Sequence, residues 1–144
     1  MLKKIAACAA VLAVSITALT GCSGKLSTEE TCTYLNDKAA EQNLNQKMKE
    51  VSTALISGDT AKFKDTTTEA ASLLQDVADR TSDDKLADAL KLSADMTHKM
   101  AEAMAADGLS LMDMADKLEE FDTPELTAAE EYMNTACPSM PALD

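Results

Sequence analysis

Apolar side chains recur along this chain at the 3.6-residue period of an α-helix. In 60–81, Phe63, Thr67, Ala70, Leu74 and Val77 fall on one face, while Lys62, Asp65, Glu69, Asp76 and Asp79 fall on the other. In 83–107, Leu86, Leu90, Ser93, Thr97, Met100 and Met104 form a second stripe, opposed by Asp84, Asp88, Lys91, Asp95, Lys99 and Glu102. Leu111, Ala115, Leu118 and Phe121 repeat at helical spacing in 109–121, as do Leu126, Ala129, Met133 and Ala136 in 124–136. No segment alternates with the two-residue period of a strand.

Helix punctuation agrees with these stripes. Ser27 or Thr28 followed by Glu29 and Glu30 is a start with acids in the first turn, where the helix dipole favours them. Gly58 ends one segment and Asp59 caps the next; Thr81-Ser82-Asp83-Asp84 is a break and a new start. Gly108 is a C-cap candidate, and Thr123-Pro124-Glu125 is a start with Pro at the first helical position. Cys137-Pro138 closes the last helix, because Pro disfavours helical backbone in its predecessor.

The first region is less regular. Cys32, Leu35 and Ala39 share one face, whereas Leu44, Met48, Val51 and Leu55 share a nearly opposed one. Two readings follow: a break near 43–45, or one helix over 28–57 whose ends face different neighbours. One long, kinked helix is the favoured reading. Segments 28–57, 60–81, 83–107 and 109–136, the last broken at Pro124, then predict an all-α fold. Short connections favour antiparallel neighbours, hence an up-down-up-down bundle of four main helices.

The first residues change the picture. Lys3 and Lys4 precede an apolar run from Ile5 to Leu19, which is shorter than the about 20 residues of a membrane span and matches a signal-peptide core. The run ends in Leu19-Thr20-Gly21-Cys22, which resembles the lipobox of bacterial lipoproteins. The resemblance implies cleavage before Cys22, diacylglyceryl transfer to its sulfur and acylation of the new amino group. Residues 1–21 are then a removed signal peptide, 22–27 a lipidated terminus and tether, 28–138 the helical domain and 139–144 a tail. In overall design the chain is similar to the small helical lipoproteins of high-GC Gram-positive bacteria. The expected location is the cell membrane, lipid-anchored and facing outside the cytoplasm.

Export also sorts the cysteines. Of the four, Cys8 leaves with the signal peptide and Cys22 takes the lipid, leaving Cys32 and Cys137. An even remainder in an exported protein reads as a disulfide. The bundle topology puts the start of the first helix and the end of the last at one pole, where these two residues lie.

Composition narrows the function. The 144 residues carry 13 Lys and Arg against 25 Asp and Glu, a net charge of −12. Removing 1–21 takes two lysines and no acid, which moves −12 to −14. This excess argues against nucleic acid, whose phosphates need clustered Lys and Arg. It equally disfavours electrostatic docking on anionic lipid.

Candidate chemistry is sparse. Met96, Met100 and Met104 recur at i, i+4 and i+8, with Met112 and Met114 beyond. Thioethers suit Cu(I), but Met100 and Met104 continue the Leu86–Leu90 stripe and read as core filler. His98, the single histidine, has Asp95 and Glu102 on its helix face, an arrangement common on solvated surfaces. The pairs Glu29-Glu30, Asp83-Asp84, Glu119-Glu120 and Glu130-Glu131 are adjacent in sequence, so their members diverge on a helix. No GxSxG, HExxH or phosphate-cradling glycine loop occurs in the chain. No catalytic residue, metal site or cofactor is assigned. The expectation is a non-enzymatic binding, accessory or structural role at the cell envelope, with membrane lipid through acylated Cys22 and an envelope protein as partners. The alternative is metal handling, by Cu(I) on methionines or weak divalent binding on acids.

Overall fold

A computed structural model describes residues 24–57, 59–105 and 119–138. Among them the chain forms five helices: α1 (Thr28–Glu41), α2 (Leu44–Ser57), α3 (Thr60–Arg80), α4 (Asp84–Met104) and α5 (Pro124–Ala136). The expected segment 109–121 lies outside the described residues up to 118; its end at 119–121 is helical and stops before Thr123.

The helix starts are chemically explicit. Ser27 caps α1 in a reciprocal box: its side chain accepts from the Glu30 N–H, and the Glu30 carboxylate accepts from the Ser27 N–H at 2.8 Å. Asp59 caps α3 through the Lys62 N–H, Asp83 caps α4 through the Leu86 N–H, and Thr123 caps α5 through the Leu126 N–H. Each cap satisfies an amide that would otherwise lack a helical partner.

The single helix expected over 28–57 is instead two. Asn43 adopts a left-handed backbone with φ 51°. Its N–H donates to Ala40 O, which closes α1, and its carbonyl accepts from the Gln46 and Lys47 N–H groups, which opens α2. Asn tolerates this conformation better than most residues because its short polar side chain bonds locally. The break resolves the two opposed apolar stripes. α1 buries Thr31, Cys32 and Leu35, while Val51 of α2 is buried and Leu44 and Met48 are half-buried.

Packing is antiparallel and sequential. α3 runs against both α1 and α2: Tyr34 reaches Asp76, Lys47 pairs with Glu69, and Glu50 pairs with Lys62. α3 packs on α4, and α4 on α5. Cys32 and Cys137 form a disulfide with Cα atoms 5.4 Å apart across 105 residues, joining α1 to the end of α5 and closing the bundle.

Among the described residues, buried apolar side chains form two clusters. The larger one draws Cys32 and Leu35 from α1, Leu73, Val77 and Ala78 from α3, Leu86, Ala89 and Leu90 from α4, and Ala129, Met133 and Cys137 from the end of the chain. The smaller one is Val51, Phe63 and Met104, with Met100 packed against it. The α3 stripe is rotated slightly from its expected position, burying Leu73 and Ala71 where Leu74 and Ala70 are only half-buried. The reason is that α3 has neighbours on two sides, α1 with α2 on one and α4 on the other. Among the described residues, no helix is long and apolar enough to cross a membrane.

Candidate functional site

Among the described residues, the most elaborate polar construction lies at the clasped pole. There the chain just before α1 is stitched to the corner between α3 and α4. Leu26 forms a one-residue parallel bridge with Thr81. Its N–H donates to Arg80 O at 2.6 Å, and its carbonyl accepts from the Ser82 N–H at 2.7 Å and the Ser82 hydroxyl at 2.9 Å. Thr81 is 1 % exposed, so the stitch sits on the core rather than on a free loop.

Asp83 is the hub beneath it. Besides capping α4 through the Leu86 N–H at 3.0 Å, its carboxylate accepts from the Thr28 hydroxyl at 2.9 Å and from the Tyr132 phenol at 3.2 Å. Three helices therefore converge on one carboxylate. The Leu86 amide is the chief cause that holds the Asp83 carboxyl below its ordinary range, with Thr28 and Tyr132 adding to it. Tyr132 is shifted up, first by burial and then by the neighbouring Asp83 charge.

A second array flanks α1. The Tyr34 phenol donates to Asp76 at 2.9 Å, and Arg80 Nε donates to both Asp76 oxygens at 2.9 Å. The Arg80 guanidinium and the Lys38 ammonium lie 5.1 and 5.8 Å from the Tyr34 ring centre. Both distances fall in the range of cation–π attraction. The hydrogen bond to Asp76 raises the Tyr34 pKa above the ordinary tyrosine value.

The sequence-derived candidates are distributed as follows. The signal residues Lys3, Lys4, Cys8 and the lipobox with Cys22 lie outside the described residues, as do Gly58, Gly108, Met112, Met114 and the tail 139–144. Cys32 and Cys137 are brought together. Met104 is 2 % exposed against Val51 and Phe63, and Met100 packs on the same cluster, so both thioethers fill space between helices. Asp95 pairs with Lys99 at 2.7 Å. Asp95 and exposed His98 border a groove of about 350 Å³ between α3 and α4, floored by Ala71 and Ala94, with Thr68 and Gln75 opposite. Among the described residues, no group of three or more His, Cys, Asp or Glu is placed to hold a metal ion.

Sequence reasoning identified Asp83 as part of a helix start but not as a junction. Its partners Thr28 and Tyr132 lie 55 and 49 residues away, and no local spacing marks them. The Leu26 stitch was equally silent, because Leu26 takes part in it through its backbone N–H and carbonyl alone. Compared with protein-family models, curated proteins and solved structures, the chain matches none.

Proposed function

We propose that this chain is a lipoprotein whose acylated Cys22 holds a disulfide-clasped helical bundle at the outer face of the cell membrane. There it serves as a non-enzymatic binding or accessory subunit for an envelope protein. The observation that carries the reading is the register of the first 22 residues: Lys3 and Lys4, the apolar run, then Leu19-Thr20-Gly21-Cys22. The cysteine inventory supports it. The two thiols left after cleavage and acylation are those joined in the 105-residue loop, as suits an oxidising compartment.

Anchoring strength follows from chain number. Each buried CH₂ contributes about 0.8 kcal/mol, so two or three acyl chains hold the domain far longer than one. The accessory role is supported by how the polar side chains are employed. Tyr132 with Asp83, and Tyr34 with Asp76 and the Arg80 guanidinium over its ring, bind one helix to another and make the bundle a firm body to present to a partner.

The test is metabolic labelling with a radioactive fatty acid in cells expressing the wild-type chain or Cys22→Ser. Label on the wild type alone, with the variant released from the membrane fraction, is the expected result. Label retained on the variant would overturn the assignment. Crosslinking in intact cells then checks the accessory role: one envelope protein captured by the wild type, and lost with Cys22→Ser, is expected. No protein captured above background removes that half of the reading.

A further inference from the structure

We propose that the clasped pole is the surface this protein turns toward the lipid headgroups, so that the bundle stands on its end. The inference rests on acylation of Cys22 proposed above and adds which face meets the membrane.

The chain is fixed to the domain at Leu26, through its bonds with Arg80 and Ser82. Four residue steps from Cys22 to Leu26 span at most about 14 Å when fully extended. The 21-residue α3, by contrast, is about 30 Å long at 1.5 Å per residue. The anchor therefore has less than half the bundle's own length in which to roam.

The point of departure is an end and not a flank. Leu26, the α3–α4 corner at Thr81–Asp83, the start of α1 and the end of α5 at Cys137 are tied into one pole by the Leu26 bridge, the Asp83 hub and the disulfide. The start of α3 and the end of α4 lie at the other pole, because both helices run the full length of the bundle in opposite directions.

Charge opposes the posture in which the bundle lies down on α5. From 119 to 138 the chain carries Glu119, Glu120, Asp122, Glu125, Glu130 and Glu131, all exposed, and neither Lys nor Arg. Laying that flank on anionic headgroups would set these carboxylates within the Debye length of about 8 Å at physiological salt, where repulsion is least screened. The opposite flank offers no compensating attraction. Residues 44–69 hold four lysines and four acids, and Lys47 and Lys62 are already paired with Glu69 and Glu50. The clasped pole is itself mixed, with exposed Lys25 and Lys85 beside exposed Glu29, Glu30 and Asp84. Covalent reach sets the contact there, and charge on the flanks keeps the body upright.

In this posture the Val51–Phe63–Met104 end is presented away from the membrane, about 30 Å out. An envelope partner then meets the far pole or the flanks, and the clasped pole is closed to it.

The experiment uses the processed, lipidated protein in vesicles of zwitterionic phospholipid with about one-third anionic lipid and a headgroup-bound quencher. A fluorescent amino acid replaces exposed Lys85 at the clasped pole or exposed Ala61 at the far pole. Mass measurement of the same preparation reports acylation of Cys22 separately. The expected result is quenching at 85 several-fold stronger than at 61, with the difference erased by ten Gly and Ser residues inserted between Gly24 and Lys25. Equal quenching at both positions with Cys22 acylated, or a difference that survives the insertion, would overturn the posture and leave the anchor standing. An unacylated Cys22 would overturn the anchor itself and the posture with it.

Discussion

The phenol of Tyr132 meets the carboxylate of Asp83 at 3.2 Å, although 49 residues separate them in the chain. Thr28 of α1 donates to the same carboxylate, and the Leu86 amide of α4 is its third donor. One side chain thus caps α4 and holds the starts of α1 and α4 to the end of α5.

Replacing Asp83 by Ala removes the cap and leaves two hydroxyls without their acceptor. Loss of an N-cap costs about 1 kcal/mol, and the stranded hydroxyls add to it. Urea unfolding should show a midpoint below that of the wild type, and below that of Asp84→Ala, whose side chain is exposed one residue later. Equal midpoints would mean that the hub contributes nothing.

The same carboxyl makes a pH prediction. Its folded pKa lies below the ordinary value of 3.8, chiefly through the Leu86 amide. A depressed folded pKa contributes stability that is complete above the ordinary value and is lost as pH falls through the folded one. The stability gap between wild type and Asp83→Asn should therefore be full at pH 7 and close as the pH drops below 3.8. A gap that stays constant into strong acid would show that charge has no part in it.

Reduction of Cys32–Cys137 opens a loop of 105 residues. On the chain-entropy account, closing a loop of this length is worth about 4.7 kcal/mol at most. Thermal unfolding with and without reductant should differ by more than ten degrees. A shift of a degree or two would show that the helices hold without their clasp.

Asn43 should tolerate Gly and resist Ala. Its left-handed φ of 51° costs a residue with Cβ and no local hydrogen bond about 1–2 kcal/mol, whereas Gly adopts it freely. Asn43→Ala is expected to lower the unfolding midpoint and Asn43→Gly to leave it nearly unchanged. Equal losses in the two variants would contradict the backbone explanation.

The divided core predicts uneven protection. Phe63→Ala should raise amide exchange in α2 and the first half of α3, while α5 and the first half of α4 keep wild-type protection. Leu86→Ala strikes the larger cluster and should cost about 2–5 kcal/mol of global stability. Uniform loss of protection in both variants would mean that the clusters behave as one.

The helices were legible because Leu86, Leu90, Val77 and Met133 recur at the helical period and the starts of α1, α3, α4 and α5 each carry a side chain able to cap them. The disulfide was legible from the parity of the cysteines left once Cys8 and Cys22 are assigned to the expected signal and lipid site. The break at Asn43 was half-legible: the opposed stripes demanded some change of face, but nothing local chose between a kink and a left-handed residue. The rotation of α3 toward Leu73 and Ala71 was hidden, since it depends on how α1, α2 and α4 share its surface. The Asp83 hub and the Leu26 stitch were hidden as well, because both are contacts between segments far apart in sequence.

The most direct test of the account is the intact mass of the protein extracted from membranes. A chain beginning at Cys22, with Cys32 and Cys137 oxidised and the added mass of a diacylglyceryl group with or without a further acyl chain, is the predicted result. A mass matching residues 1–144, or a chain cut elsewhere and carrying no lipid, would contradict it.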